Sequence, residues 1–135
     1  MSAKNLKSRL ALVVDDSMLI RHCVCRFLEE HGFTVESASN GQEALEALQQ
    51  VTPDLIVTDL QMPKMGGSDL ITALKSHPVT ATIPVVIVAS RQSGFDDNEH
   101  RADFAIFKDI DIETQLAKAL AAISKPRVRK QTAGE

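Results

Sequence analysis

Four charged residues stand directly behind short apolar runs, and their types are suited to phosphoryl chemistry. They are the pair Asp15 and Asp16 behind one run, Asp59 behind another and Lys108 behind a third. Carboxylates brought together repel one another unless a cation neutralises them, and hard oxygen ligands of this kind suit Mg²⁺. Lys108 could bind a phosphate as a point charge. The residue types therefore predict phosphoryl transfer with Asp59 as the covalent acceptor, if the fold brings the ends of the runs together.

The apolar runs have the length and the β-branched content of buried strands. Candidate strands cover residues 10–14, 33–37, 55–58, 85–89 and 104–107. Amphipathic segments lie between them, and Ser17 is expected to cap the first helix, which Gly32 would end. Asn40, with Glu43 three residues later, resembles a capping box for the second helix. Strands and helices thus alternate along the chain.

This alternation predicts an α/β fold with a doubly wound five-stranded parallel sheet and helices on both faces. The flavodoxin-like strand order 2-1-3-4-5 suits such a chain. In that order the first and third strands are neighbours, so their carboxyl ends would bring Asp15, Asp16 and Asp59 within a few ångströms. Few apolar residues lie between the fourth and fifth strands, which predicts a shortened fourth helix there. The alternative is three unrelated turn aspartates and a surface lysine.

The composition is that of one globular domain with an ordinary charge balance. The chain has 135 residues, 44% of them hydrophobic, and a net charge of −3. We expect an N-terminal tail at residues 1–8, the domain at 9–124, and a basic flexible tail or linker start at 125–135. The charge gives no sign of direct nucleic-acid binding, and no apolar run is long enough for membrane insertion. Cys23 and Cys25 lack metal-ligand spacing, so thiols in a reducing compartment and a cytoplasmic location are expected.

Three motifs of the sequence occur together. The run Leu12–Ser17 contains the acid pair, the pattern D-x-x-M-P-x-M-x-G starts at Asp59, and Lys108 follows a strand. With these motifs the chain resembles a response-regulator receiver domain of two-component signalling, with the fold of the chemotaxis regulators. It implies that Asp59 accepts a phosphoryl group from a phosphohistidine on a sensor histidine kinase or a histidine phosphotransfer protein. It implies no separate enzyme activity, although such a domain takes part in its own phosphotransfer and dephosphorylation.

The resemblance also implies a ligand set for Mg²⁺. Asp16 and Asp59 would coordinate the ion directly, Asp15 would act mainly through a metal-bound water, and the backbone carbonyl of Gln61 would complete the protein ligands. A related class, the aspartyl-phosphate hydrolases, would want an acid two residues after the nucleophile. That position is Gln61, which argues against a hydrolase.

Three positions depart from the family pattern. The family ends its fourth strand with a Thr or Ser that binds the phosphoryl group, and here that position is Ala89. A one-residue shift or bulge would present Ser90 instead. The switch aromatic three residues before the lysine is replaced by Ala105, and Asp109 stands where a proline commonly follows the lysine. The sequence therefore predicts an intact acceptor site with an atypical readout. The signal would pass to an unknown output protein, and a homodimer is possible. The alternative is a phosphorylation-independent interaction module with a receiver fold.

Overall fold

Five parallel strands form one sheet in the computed structural model, which describes residues 9–60, 62, 65–89, 102–108 and 111–123. The strands are β1 (Arg9–Val14), β2 (Phe33–Ala38), β3 (Leu55–Asp59), β4 (Val85–Ala89) and β5 (Phe104–Phe107). Their order across the sheet is β2-β1-β3-β4-β5, and every neighbouring pair is parallel. The predicted fold class and strand order are therefore confirmed. The reversal of strand order between β1 and β3 creates the switch point where ligands collect in such sheets.

Four helices are described: α1 (Met18–Glu30), α2 (Gly41–Leu48), α3 (Gly67–Lys75) and α4 (Ile112–Ile123). Ser17 caps α1 through a bond from the Ile20 N–H, and Gly32 follows its end with a φ of 93°. Asn40 Oδ1 accepts the Glu43 N–H at the start of α2, while Glu43 Oε1 accepts the Ser39 N–H. The capping residues predicted for these two helices are thus the ones that the structure uses.

The sheet separates two apolar cores. One lies under α1 and α4, where Val24, Phe27, Leu28, Ile112, Leu116 and Ala119 cover the sheet. The other lies under α2 and α3, with Ala44, Leu70, Ile71 and Leu74. Alternate residues of β1 point into opposite cores, and Ala11, Leu12, Val13 and Val14 are each at most 1% exposed. A strand buried on both faces holds the residues that follow it in one place, which matters for Asp15 and Asp16.

Asp54 and Asp103 form two similar clamps, each of which joins the amino ends of two neighbouring strands by a pair of hydrogen bonds. Asp54 precedes β3; its Oδ2 accepts the Leu10 N–H at 2.9 Å, and its own N–H binds the Leu10 carbonyl at 2.7 Å. Asp103 precedes β5 and makes both bonds with Val85, each at 2.8 Å. Each clamp fixes the register of a strand at the edge opposite to the acidic residues, so the carboxyl ends also stay aligned.

Several expectations fall on residues outside the described ranges. These are the tails at 1–8 and 125–135, the shortened fourth helix within residues 90–101, Gln61, Ser90 and Asp109. Within the described ranges, no helix has the length and apolar character needed to cross a membrane.

Candidate functional site

Three carboxylates meet at the carboxyl edge of the sheet, at the switch point. Asp15 and Asp16 directly follow β1, and Asp59 is the last residue of β3, the neighbour of β1 in the sheet. One ligand oxygen from each of the three lies within 4.8 Å of the others. Asp15 and Asp59 are buried, at 2% and 3% exposure, whereas Asp16 faces solvent. The cluster is therefore buried on the side of Asp15 and Asp59 and open to water on the side of Asp16.

Lys108 reaches the same cluster from the far side of β4. It directly follows β5, and its backbone N–H binds the carbonyl of Ala89 at the end of β4 at 2.8 Å. Its Nζ donates to Asp59 Oδ2 at 3.0 Å and lies 3.9 Å from Asp15 Oδ1. The Lys108 side chain is only 24% exposed, so its interaction with Asp59 is less screened by solvent than a surface ion pair. The structure thus brings together the four charged residues singled out in the sequence.

The carboxyl group of Asp15 is held in an environment that disfavours its charge. Burial raises its pKa from 3.8 to about 6, and the nearby charges of Asp59 and Asp16 act in the same direction. The N–H of Ser17, which donates to Asp15 Oδ1 at 2.9 Å, and the Lys108 ammonium oppose this shift. The second oxygen, Oδ2, is buried and has no hydrogen-bond partner among the described residues. A buried carboxylate oxygen without a donor beside two further carboxylates fits a bound divalent cation.

The loop after β3 is anchored against the start of α2. The Gly41 N–H binds the Met65 carbonyl at 3.2 Å. A Cβ on Gly41 would lie 2.6 Å from Met65 Cγ and 2.8 Å from Met65 O, so only glycine permits this approach. The segment between Asp59 and Met65 includes Gln61, the residue expected to offer a backbone carbonyl. Close packing of Gly41 and Met65 therefore fixes one end of the loop that borders the acidic cluster.

The remaining predicted positions lie at the ends of β4 and β5 or outside the described residues. Ala89 is buried at 2% exposure and packs in the core under α2 and α3. Ala105 is exposed on β5, opposite Ile87 of β4. Gln61 and Ser90 are not among the described residues, so their predicted roles stay predictions.

Sequence reasoning missed Arg21. Its Nη1 donates to the backbone carbonyl of Asp15 at 2.7 Å, while the Asp15 N–H binds the Ala38 carbonyl at 3.1 Å. The peptide groups on both sides of Asp15 are therefore fixed by hydrogen bonds. The available signal was an arginine one turn into a helix that begins at the acid pair, a position from which a long side chain can reach back over the helix start.

Fold and site together define a doubly wound α/β domain with an acidic pocket and a lysine at its switch point. Residues 11–121 match the family model described as the response regulator receiver domain. The chain therefore belongs to the response-regulator receiver family of two-component signalling, as its sequence motifs predicted.

Individual relatives agree with this assignment. A gliding motility regulatory protein of Myxococcus xanthus is 43% identical over 95 residues, which cover 70% of this chain and 12% of that protein. A CheY-like receiver domain from Methylobacillus flagellatus superposes with a TM-score of 0.76 at 27% identity, covering 86% of this chain and 98% of that one. A response regulator from Thermotoga maritima, solved in complex with Mg²⁺ and BeF, shares the fold with a TM-score of 0.73 at 24% identity, covering 84% and 97% of the two chains. The chain spans 12%, 35% and 54% of the lengths of three curated relatives that it matches.

Proposed function

We propose that Asp59 accepts a phosphoryl group from a phosphohistidine donor in a transfer that depends on Mg²⁺. The observation that carries the proposal is the position of the Asp59 carboxylate, which lies 3.0 Å from Lys108 Nζ and within the cluster of three acids. Asp59 is buried, with an acidic cluster and an ammonium group beside it, and these surroundings suit a covalent phosphoacceptor. The donor is a sensor histidine kinase or a histidine phosphotransfer protein.

The residues of the chain divide the work of the transfer. An oxygen of Asp59 attacks phosphorus, the new O–P bond forms, and the P–N bond of the phosphohistidine breaks with its electron pair left on the imidazole nitrogen. Lys108 faces Asp59 and donates hydrogen bonds to oxygens of the transferred group, whose charge grows during the transfer. No separate substrate is turned over, because the product is the phosphorylated domain itself.

The acidic cluster fits Mg²⁺ because it offers carboxylate oxygens, one of them buried and without a hydrogen-bond donor among the described residues. Asp16 and Asp59 would hold the ion directly and Asp15 through water, with the backbone carbonyl of Gln61 as a further ligand. When bound, Mg²⁺ neutralises charge on the cluster and on the oxygens of the transferred group.

Labelling by a small-molecule phosphodonor tests the acceptor. We expect phosphoramidate with Mg²⁺ to add one phosphoryl group, detected by intact-protein mass spectrometry and removed by hydroxylamine, which cleaves acyl phosphates. Asp59→Asn should abolish this label because the nucleophilic oxygen is lost. Asp69→Asn, an exposed acid in the first turn of α3, is the matched control and should label like the wild type. Full labelling of Asp59→Asn would place the acceptor elsewhere.

The readout of phosphorylation is proposed to be atypical. Ala89 brings no hydroxyl to the end of β4, and Ala105 brings no aromatic ring to β5, so coupling between the two positions is weak or absent. Ser90 is the candidate for a replacement phosphoryl ligand. The signal then passes to an output protein by another contact, with a homodimer as one arrangement.

The second candidate function is an interaction module that works without phosphorylation. It is favoured by the burial of Ala89 in an apolar core, which leaves the β4 end without a polar side chain at that position. Beryllofluoride with Mg²⁺ separates the two functions. Binding at the acidic cluster, seen as shifted amide resonances of Asp15, Asp16 and Asp59, supports the phosphoacceptor, and no binding supports the module.

A further inference from the structure

The side-chain amide of Gln115 binds both backbone polar groups of Phe107. Gln115 Oε1 accepts the Phe107 N–H at 3.0 Å, and Gln115 Nε2 donates to the Phe107 carbonyl at 2.9 Å. The same Nε2 also donates to the Asp111 carbonyl at 3.2 Å, at the start of α4. A side-chain amide has an acceptor oxygen and two N–H donors, so one amide can make all three of these bonds. Gln115 thus ties α4 to the last residue of β5.

Phe107 is the residue immediately before Lys108, at the end of a strand that lies at the edge of the sheet. β5 has only four residues, and β4 is its neighbour on one side. An edge strand has backbone N–H and C=O groups that no second strand binds. The paired bonds of Gln115 supply backbone contacts to Phe107 from outside the sheet, just where the lysine begins.

The helix that carries Gln115, α4, packs into an apolar core. Leu116 is fully buried, and Ile112 and Ala119 pack in the same core on either side of it along α4. The Lys108 N–H is bound to the Ala89 carbonyl, so the described contacts hold the lysine backbone from β4 on one side and from α4, through Phe107, on the other. The Nζ–Asp59 distance of 3.0 Å therefore depends on where α4 places the end of β5.

We propose that Gln115 is a positioning residue that sets the reach of Lys108 into the acidic cluster. This inference rests on the proposed function for its effect on phosphoryl transfer, but its geometric part stands on the bonds alone. Displacing a charged group by about 1 Å from its productive position can slow a reaction about a hundredfold. Loss of the Gln115 bonds should thus act on phosphorylation although Gln115 touches none of the reacting atoms.

Gln115→Met tests the proposal because methionine keeps the length of the side chain and its helix propensity but has no amide. We expect the rate of labelling by phosphoramidate and Mg²⁺ to fall about tenfold to a hundredfold. The Phe107 amide should exchange its hydrogen about tenfold faster, since its acceptor is gone. The ¹H–¹⁵N resonance of the Lys108 ammonium, measured without Mg²⁺, should shift or broaden. Gln50→Met, at an exposed glutamine after α2, is the matched control and should change none of these.

A second variant separates positioning from a general loss of structure. Gln115→Glu retains an oxygen that accepts the Phe107 N–H but loses the donor to the Phe107 carbonyl. We expect it to preserve slow exchange of the Phe107 amide and to label faster than Gln115→Met, a partial rescue that a merely structural role would not give. Unchanged labelling and an unshifted Lys108 resonance in Gln115→Met would overturn the proposal. Wild-type protein that takes no label contradicts the proposed function instead, and the Lys108 resonance still decides the role of Gln115.

Discussion

Asp15 shows how the candidate site lowers the stability of the fold. Its carboxyl group is buried beside two other acids, and burial is the main reason why its pKa rises to about 6 from 3.8. A carboxyl group whose pKa is higher in the folded chain than in the unfolded one favours folding while it is protonated. That contribution is complete below about pH 4 and is lost as the pH rises through about 6. At neutral pH the metal-free domain therefore carries an unfavourable buried charge.

Removing this charge should stabilise the metal-free domain. In Asp15→Asn the amide oxygen can still accept the Ser17 N–H, while the ionisation disappears. We expect the free energy of unfolding in urea to exceed that of the wild type by about 1–3 kcal/mol at about pH 7.5, with a difference near zero at about pH 4. Added Mg²⁺ should stabilise the wild type more than the variant. A gain that stays constant between the two pH values would contradict the assignment of the effect to the Asp15 carboxyl group.

The elements place the site through contacts between distant parts of the chain, and α2 gives the clearest case. Gly41 begins this helix, although glycine is among the poorest helix formers. The reason is Met65, whose side chain and carbonyl lie 2.6–2.9 Å from the place that a Cβ on residue 41 would take. Glycine is therefore required at this position for the close contact with Met65, which holds the loop after β3, and not for helix formation.

Gly41→Ala should consequently destabilise the domain in spite of the better helix former. We expect a loss of about 1–3 kcal/mol in the free energy of unfolding, because the added methyl group must displace Met65. Mg²⁺ affinity, measured by calorimetry, should fall as well, since the loop that carries Gln61 moves. Gln42→Ala, at the next residue and exposed, is the matched control and should be close to neutral. A Gly41→Ala variant more stable than the wild type would show that Met65 can move away at no cost, and would contradict this prediction.

The sequence was informative where local patterns decide the structure. Buried strands appear as short apolar runs, and parallel strands align their carboxyl ends, so the meeting of Asp59 and Lys108 followed from strand order alone. The helix caps Ser17 and Asn40 were visible because capping acts within three residues. Three other features could not be predicted from the sequence. They are the Asp54 and Asp103 clamps, the Gly41–Met65 contact and the hydrogen bonds of the Gln115 amide. Each depends on which atoms of non-adjacent segments come into contact, and residue types and spacing do not determine that.

At the scale of the whole molecule, the proposed acceptor site has to be connected to the proposed atypical readout. The acids and Lys108 lie at one edge of the sheet, and Ala105 is exposed near the end of β5. A conformational change can follow phosphorylation only if some group contacts the phosphoryl group differently in the two states. The buried methyl group of Ala89 makes no polar contact of this kind.

We therefore expect beryllofluoride with Mg²⁺ to shift amide resonances at the acidic cluster of the wild type but not at Ala105. Ala89→Thr should extend the shifts to Ala105, because a hydroxyl group at the end of β4 can bind the phosphoryl mimic. Ala89→Val is the matched control, since valine has nearly the same volume as threonine but no hydroxyl group. In this variant the shifts should stay confined to the acidic cluster. Shifts that already reach Ala105 in the wild type would refute weak coupling between the acidic cluster and β5. If Ser90→Ala then removed those shifts, Ser90 would be the residue that contacts the phosphoryl mimic. The difference between the threonine and valine variants thus decides whether the lack of one hydroxyl group keeps the proposed acceptor site from acting as a switch.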